Sequence, residues 1–125
     1  MGLDMFLWRV KAEDAIGDFE IAKGSDGRFN IQAEMAYWRK HYDLHQWMEN
    51  LYRAKGGTAK SFNLIQLRLT LSDLNILELD IKADTMPSSS PFPYDEETKQ
   101  ADLAFIETAR KIIAEGDEVY YDSWW

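Results

Sequence analysis

The chain has 125 residues, enough for one domain and too few for two independent ones. Its 14 Lys and Arg against 22 Asp and Glu leave a net charge of −8, which argues against holding nucleic acid through neutralised phosphates, because that mode needs clustered cations. There is no cysteine, which excludes disulfides, thiolate metal sites, iron–sulfur clusters and cysteine nucleophiles together.

A membrane span needs roughly 20 consecutive apolar residues, and the longest apolar runs here are only a few residues long. The opening Met-Gly-Leu-Asp-Met has no basic segment followed by a long apolar run, so no signal peptide is predicted. The expectation is a cytoplasmic protein with no membrane contact.

Residues 3–11 read as a strand. Asp4, Phe6, Trp8 and Val10 alternate with Leu3, Met5, Leu7 and Arg9, and because both faces are largely apolar the strand is expected to be central. Residues 19–23 and 28–32 flank Gly24-Ser-Asp-Gly27, whose Asp-Gly pair signals a turn, so this unit reads as a hairpin. Residues 33–54 read as the longest helix. Met35, Trp38, Tyr42 or His41, His45, Met48, Leu51 and Tyr52 recur at helical spacing, and Gly56-Gly57 ends the run.

Residues 62–69 alternate loosely and read as a strand. Ser72 with Asp73 caps a predicted helix running to about Lys82, with Leu74, Ile76, Leu77 and Leu79 as its apolar stripe; a strand is the alternative there. Residues 87–93 hold all three prolines and three serines and read as a loop. A second long helix is predicted over 95–114. Asp95, Glu96 and Glu97 sit at its positive end, Lys111 near its negative end, and Gly116 stops it. Residues 118–124 read as a last strand. The order β-ββ-α-β-α-α-β predicts an α+β domain: a small, mostly antiparallel sheet with two long helices and one shorter helix on one face.

Three segments carry a family likeness. They are Met1-Gly-Leu-Asp-Met-Phe-Leu7, then Glu34-Met-Ala-Tyr-Trp-Arg-Lys40 followed by His45-Gln-Trp47, and Ala104-Phe-Ile-Glu-Thr-Ala-Arg110 followed by Val119-Tyr-Tyr-Asp-Ser-Trp-Trp125. Together they resemble a widespread family of small bacteriophage and prophage proteins of unknown function. The resemblance touches about a third of the chain and implies a phage setting; it supplies no catalytic residues. An Asp/Asn-Cys-Gly segment that is common in the family after the helix is replaced here by Gly56-Gly57-Thr58.

Among the residues themselves, His41 and His45 stand out. They are the only histidines, at i and i+4. On a helix this spacing puts two rings on one face about 6 Å apart, as zinc ligation requires. A zincin needs Glu directly after the first His, and Tyr42 stands there, so hydrolysis of that type is not expected. The remaining ligands would be oxygens, with Asp4 or Asp122 as candidates. The competing reading has His45 half-buried and satisfied, with His41 at the surface. Asp4 has a second competing role, as the partner of Arg39 in a buried bidentate ion pair.

The ending Tyr120-Tyr-Asp-Ser-Trp-Trp125 is dense in aromatics. Strand alternation sends half of these side chains inward and leaves the rest as an exposed aromatic–acidic patch. Acidic residues cluster at 13–20, at 95–97 and at 115–122. No nucleophile elbow, phosphate loop or dinucleotide fingerprint is present.

The reading favoured on these grounds is a phage-encoded binding protein that inhibits a host defence nuclease, as anti-CRISPR proteins inhibit RNA-guided nucleases. Contact would run through Asp95, Glu96, Glu97, Glu118, Asp122 and Trp124, with zinc at His41, His45 and Asp4 as a structural staple and with no direct nucleic-acid binding. The alternatives are a small metal-dependent enzyme built on His41 and His45, and a phage structural or regulatory accessory protein.

Overall fold

The fold is α+β, as seen in a computed structural model that describes residues 2–125, so that Met1 of the opening motif lies outside the described residues. Chain order begins with β1 (Asp4–Val10), a single 3-10 turn at Ala12–Asp14, β2 (Ala15–Gly17), β3 (Glu20–Ile21) and β4 (Ala33–Arg39). It continues with α1 (Tyr42–Ala54), β5 (Leu67–Leu69), α2 (Leu71–Lys82), α3 (Glu96–Ala114) and β6 (Glu118–Trp124). Among the described residues no helix is long and apolar enough to cross a membrane.

The main sheet has the order β4-β1-β6-β5, with every neighbouring pair antiparallel. β1 is central, as its two apolar faces predict. Its inward residues Met5 and Leu7, with Leu3 just before it, are buried with Val119 and Tyr121 of β6 and Leu67 and Leu69 of β5. The three helices cover this face. α1 contributes Leu44, Trp47, Met48 and Tyr52, α2 contributes Leu74, Leu77 and Ile81, and α3 contributes Phe105, Ile106, Ala109 and Ile112. Each large side chain buried this way contributes about 1.5–3 kcal/mol before the entropy of ordering is subtracted.

The small β2–β3 unit folds over part of the outer face of the sheet. There Val10, Ile21 and Tyr120 form a second buried cluster with Trp8, Ala15 and Phe29 against it. The Tyr120 hydroxyl donates to the Gly17 carbonyl at 2.6 Å and pins the unit down.

Five expectations are corrected. The run predicted as one helix over 33–54 is a strand followed by a helix. β4 pairs with β1 from Asp4↔Arg39 to Arg9↔Ala33, with a bulge at Leu7/Trp8. The central strand needs a neighbour on each side, and that requirement outweighs the helix propensity of Ala, Glu and Met at 33–36. Lys40 then takes a left-handed backbone (φ 58°), which breaks the chain between the two elements, and His41 caps α1. The hairpin predicted over 19–32 forms its turn at 24–27, but its arms meet only through a Lys23↔Phe29 bridge, and β3 pairs with β2 instead. The strand predicted over 62–69 is reduced to 67–69, because Leu64 is also left-handed (φ 59°). In α2 the cap is Thr70, whose hydroxyl accepts from the Asp73 N–H while the Asp73 carboxylate accepts from the Thr70 N–H. Of the predicted α2 stripe, Leu74 and Leu77 are buried, whereas Ile76 and Leu79 face solvent.

Candidate functional site

Half of the outer sheet face stays uncovered. Alternation along β1, β4 and β6 sends Asp4, Phe6 and Trp8, Tyr37 and Arg39, and Glu118, Asp122 and Trp124 to this side. Phe6 and Trp8 stack with ring centroids 4.8 Å apart, and Phe6 also packs against Tyr37 at 5.4 Å. Tyr37 is 51% exposed and Trp124 62% exposed. Large aromatics are normally covered, so this open cluster is the most distinctive feature of the surface.

Its carboxylates are held in place. Asp4 accepts from the Tyr37 hydroxyl at 2.5 Å, which raises the phenol above its ordinary range. Asp122 accepts from Trp8 Nε1 at 3.0 Å and from Gln66 Nε2 at 3.1 Å. Burial raises the Asp122 carboxyl, and these donors partly offset that rise. Glu118, Asp122 and Trp124 lie on the outer side of β6, Glu118 opposite the buried Val10. Asp95, Glu96 and Glu97 lie elsewhere, at the start of α3 in the helical layer. Asp95 is the cap of that helix, accepting from the Thr98 N–H at 2.8 Å, and this bond holds its carboxyl below the usual range.

The buried ion pair expected between Asp4 and Arg39 does not form. The two are cross-strand neighbours on the outer face, and the Arg39 guanidinium lies against Gly2. The two histidines also part. His41 is not inside the helix; as its cap, Nδ1 accepts from the Leu44 N–H at 3.5 Å, and Nε2 donates to Asp102 Oδ2 at 2.7 Å. Both of its nitrogens are therefore engaged. His45 turns toward the sheet, sharing a hydrogen bond of 2.6 Å with the Tyr121 hydroxyl beside Phe62. Burial pushes its imidazole down to about 4, so the ring is neutral at pH 7. Asp4, with its Tyr37 bond on the outer face, joins neither histidine. Among the described residues no three His, Asp or Glu side chains converge as a metal site requires.

The helical layer carries a second concave region, a cleft of about 530 Å³ between the end of β4, residues 90–94 and the first half of α3. Asp102 lines it and is fully buried; Oδ2 receives His41 and the Tyr94 hydroxyl, and Oδ1 has no partner among the described residues. Burial, then the Asp102 bond, raise the Tyr94 phenol far above its usual range. Asp102 was missed in the sequence, although its position one helical turn before Phe105 and Ile106 puts a carboxylate on the apolar stripe of α3. Phe92, in the proline-rich loop, and Tyr94, between that loop and α3, carry no such periodic signal.

That loop is tied to α1. The buried Asp43 Oδ1 accepts from the Ser89 N–H at 2.7 Å and from the Ser90 N–H at 2.9 Å. Asp43→Ala is expected to cost about 1–2 kcal/mol, with faster amide exchange at Ser89 and Ser90. Unchanged exchange there would contradict this anchoring.

Comparison with known proteins returns no matching family model, no matching curated protein and no matching solved structure.

Proposed function

We propose that this chain is a binding protein that acts by occupying another protein through the uncovered half of its sheet. The observation that carries this reading is the pair of exposed aromatics Tyr37 and Trp124 beside the stacked, half-buried Phe6 and Trp8, set among Asp4 and Asp122. Rigid Tyr and Trp side chains make effective anchors at interfaces, and a surface of net negative charge speeds encounter with a basic partner. The net charge of −8 and the resemblance of the sequence to phage proteins support a host defence nuclease with a basic nucleic-acid channel as that partner, as for anti-CRISPR proteins.

The test uses purified RNA-guided nucleases cleaving their target DNA in the presence of this protein. Inhibition of at least one of them is expected, weakening as salt rises, and it should vanish for Tyr37→Ala/Trp124→Ala. That double variant should stay within about 1 kcal/mol of wild type in urea denaturation, because both side chains are already exposed. Glu96→Lys, in the helical layer, should inhibit as well as wild type. Inhibition that persists in the double variant rejects this face, and cleavage untouched across the panel rejects the nuclease as partner.

A further inference from the structure

We propose that the cleft in the helical layer binds a guanidinium group that donates to Asp102 Oδ1. This site is separate from the sheet face and does not depend on the function assigned to it.

Asp102 is the deepest polar group of the cleft and is fully buried. A buried carboxylate oxygen without a donor is costly, and native structures rarely leave one. The donors that reach Asp102 do not reach Oδ1. The Tyr94 hydroxyl and His41 Nε2 both go to Oδ2, and His41 Nδ1 is occupied as the α1 cap. The Thr98 hydroxyl donates to Asp95. A ligand with N–H donors is what the cleft lacks.

Three observations select a cation, and among cations a planar one. The first is charge: Asp43, Glu97 and Asp102 line the cleft, against Arg39 and Lys40. The Arg39 guanidinium is laid against Gly2, which leaves the Lys40 ammonium as the competing cation. The second is the aromatic lining of Trp38, Phe92 and Tyr94, of which Phe92 is 59% exposed. Aromatic faces attract cations, and a guanidinium stacks on them better than a compact, strongly hydrated ammonium. The third is size: a cleft of about 530 Å³ admits an arginine-sized group with room for the chain that carries it. That chain would be either a protein backbone or a small free guanidine.

The experiment is a titration of the ¹⁵N-labelled full chain, followed by amide shifts, with three probes: ethylguanidinium, N-acetyl-arginine amide and butylammonium. Saturable shifts confined to residues 38–43 and 90–102 are expected for both guanidines, with butylammonium at least severalfold weaker. Tighter binding of the arginine amide identifies a protein side chain as the source, and equal binding identifies a free guanidine. Asp102→Asn should weaken binding at least about tenfold. Phe92→Ala, at an exposed position that the fold does not need, should weaken it severalfold without moving the melting temperature, and so keeps the test decisive if the Asp102 variant fails to fold. Lys40→Met should tighten binding by removing the competing ammonium. Absence of saturable shifts, unchanged affinity in Phe92→Ala, or weaker binding in Lys40→Met overturns the proposal.

Discussion

Between pH 6.5 and pH 4 the fold is expected to lose about 2–3 kcal/mol through one side chain, His45. In the native chain the ring lies beside Phe62 and Tyr121, and burial lowers its imidazole to about 4, against 6.5 in the unfolded chain. Between those values the unfolded chain binds a proton that the native chain does not, so acidification favours unfolding. The contribution of the neutral ring is complete above pH 6.5, falls as pH drops below that, and is gone below about pH 4. The gap corresponds to about 3.4 kcal/mol for a fully buried group, and partial exposure of the ring reduces it to the range given. Urea denaturation across this window measures the slope. Asp122, with its carboxyl raised by burial, titrates with the opposite sign, so the comparison that isolates His45 is wild type against His45→Gln. The variant should show a shallower slope, and equal slopes would rule out a neutral buried His45.

Gly57→Ala is expected to be as damaging. A Cβ at Gly57 would lie 2.2 Å from Cε1 and Cζ of Tyr52, a distance at which something must move. The Tyr52 ring has no room to do so. It is buried, packed edge-on to Phe19 at 4.8 Å and against Phe62 at 5.2 Å, and its hydroxyl accepts from the Ala59 N–H at 2.9 Å. The backbone is held too, because the Gly57 N–H donates to the Tyr52 carbonyl at 2.9 Å. Overpacking of this kind costs about 2–3 kcal/mol, which for a domain of this size lowers the melting temperature by roughly 8–12 °C. Gly17→Ala is the control. Its Cβ would meet nothing within 4 Å, and its backbone is not left-handed, so its melting temperature should stay close to wild type. A Gly57→Ala protein as stable as the Gly17→Ala protein would show that the close approach does not matter.

Much of the candidate site could be read from the chain, and the part that could not has a common cause. Strand alternation was enough to put Asp122 and Trp124 on one side of β6 and Tyr121 on the other, because a period of two needs no knowledge of the partner. The His41–His45 pair failed for the opposite reason. Its reading assumed that both residues lie within one helix, and the helix begins one residue after His41. The one-turn spacing then no longer fixes where the rings point, and each takes a different partner, Asp102 for one and Tyr121 for the other. Glu96 and Glu97 were grouped with the β6 acids by charge alone, and charge carries no information about which layer of the fold a residue occupies.

Local chemistry in the sequence was sufficient for the α+β class, for the central β1, for the course of α3, for α2 apart from its cap and half of its apolar stripe, and for β6. Each of these has a period, a cap or a terminator within its own residues. Tertiary structure decided the rest. Residues 33–39 suit a helix by propensity and become a strand because the open side of β1 supplies a hydrogen-bonding partner. Residues 62–66 stay out of the strand, although the left-handed Leu64 still donates its N–H to the Ser123 carbonyl at 2.8 Å. Part of the outer face is uncovered because the short β2–β3 unit covers only the end around Val10 and Tyr120. The cleft exists only where β4, the proline-rich loop and α3 meet. Those outcomes depend on contacts between residues far apart in the chain, and their free energies exceed the few tenths of a kcal/mol per residue by which local preferences differ.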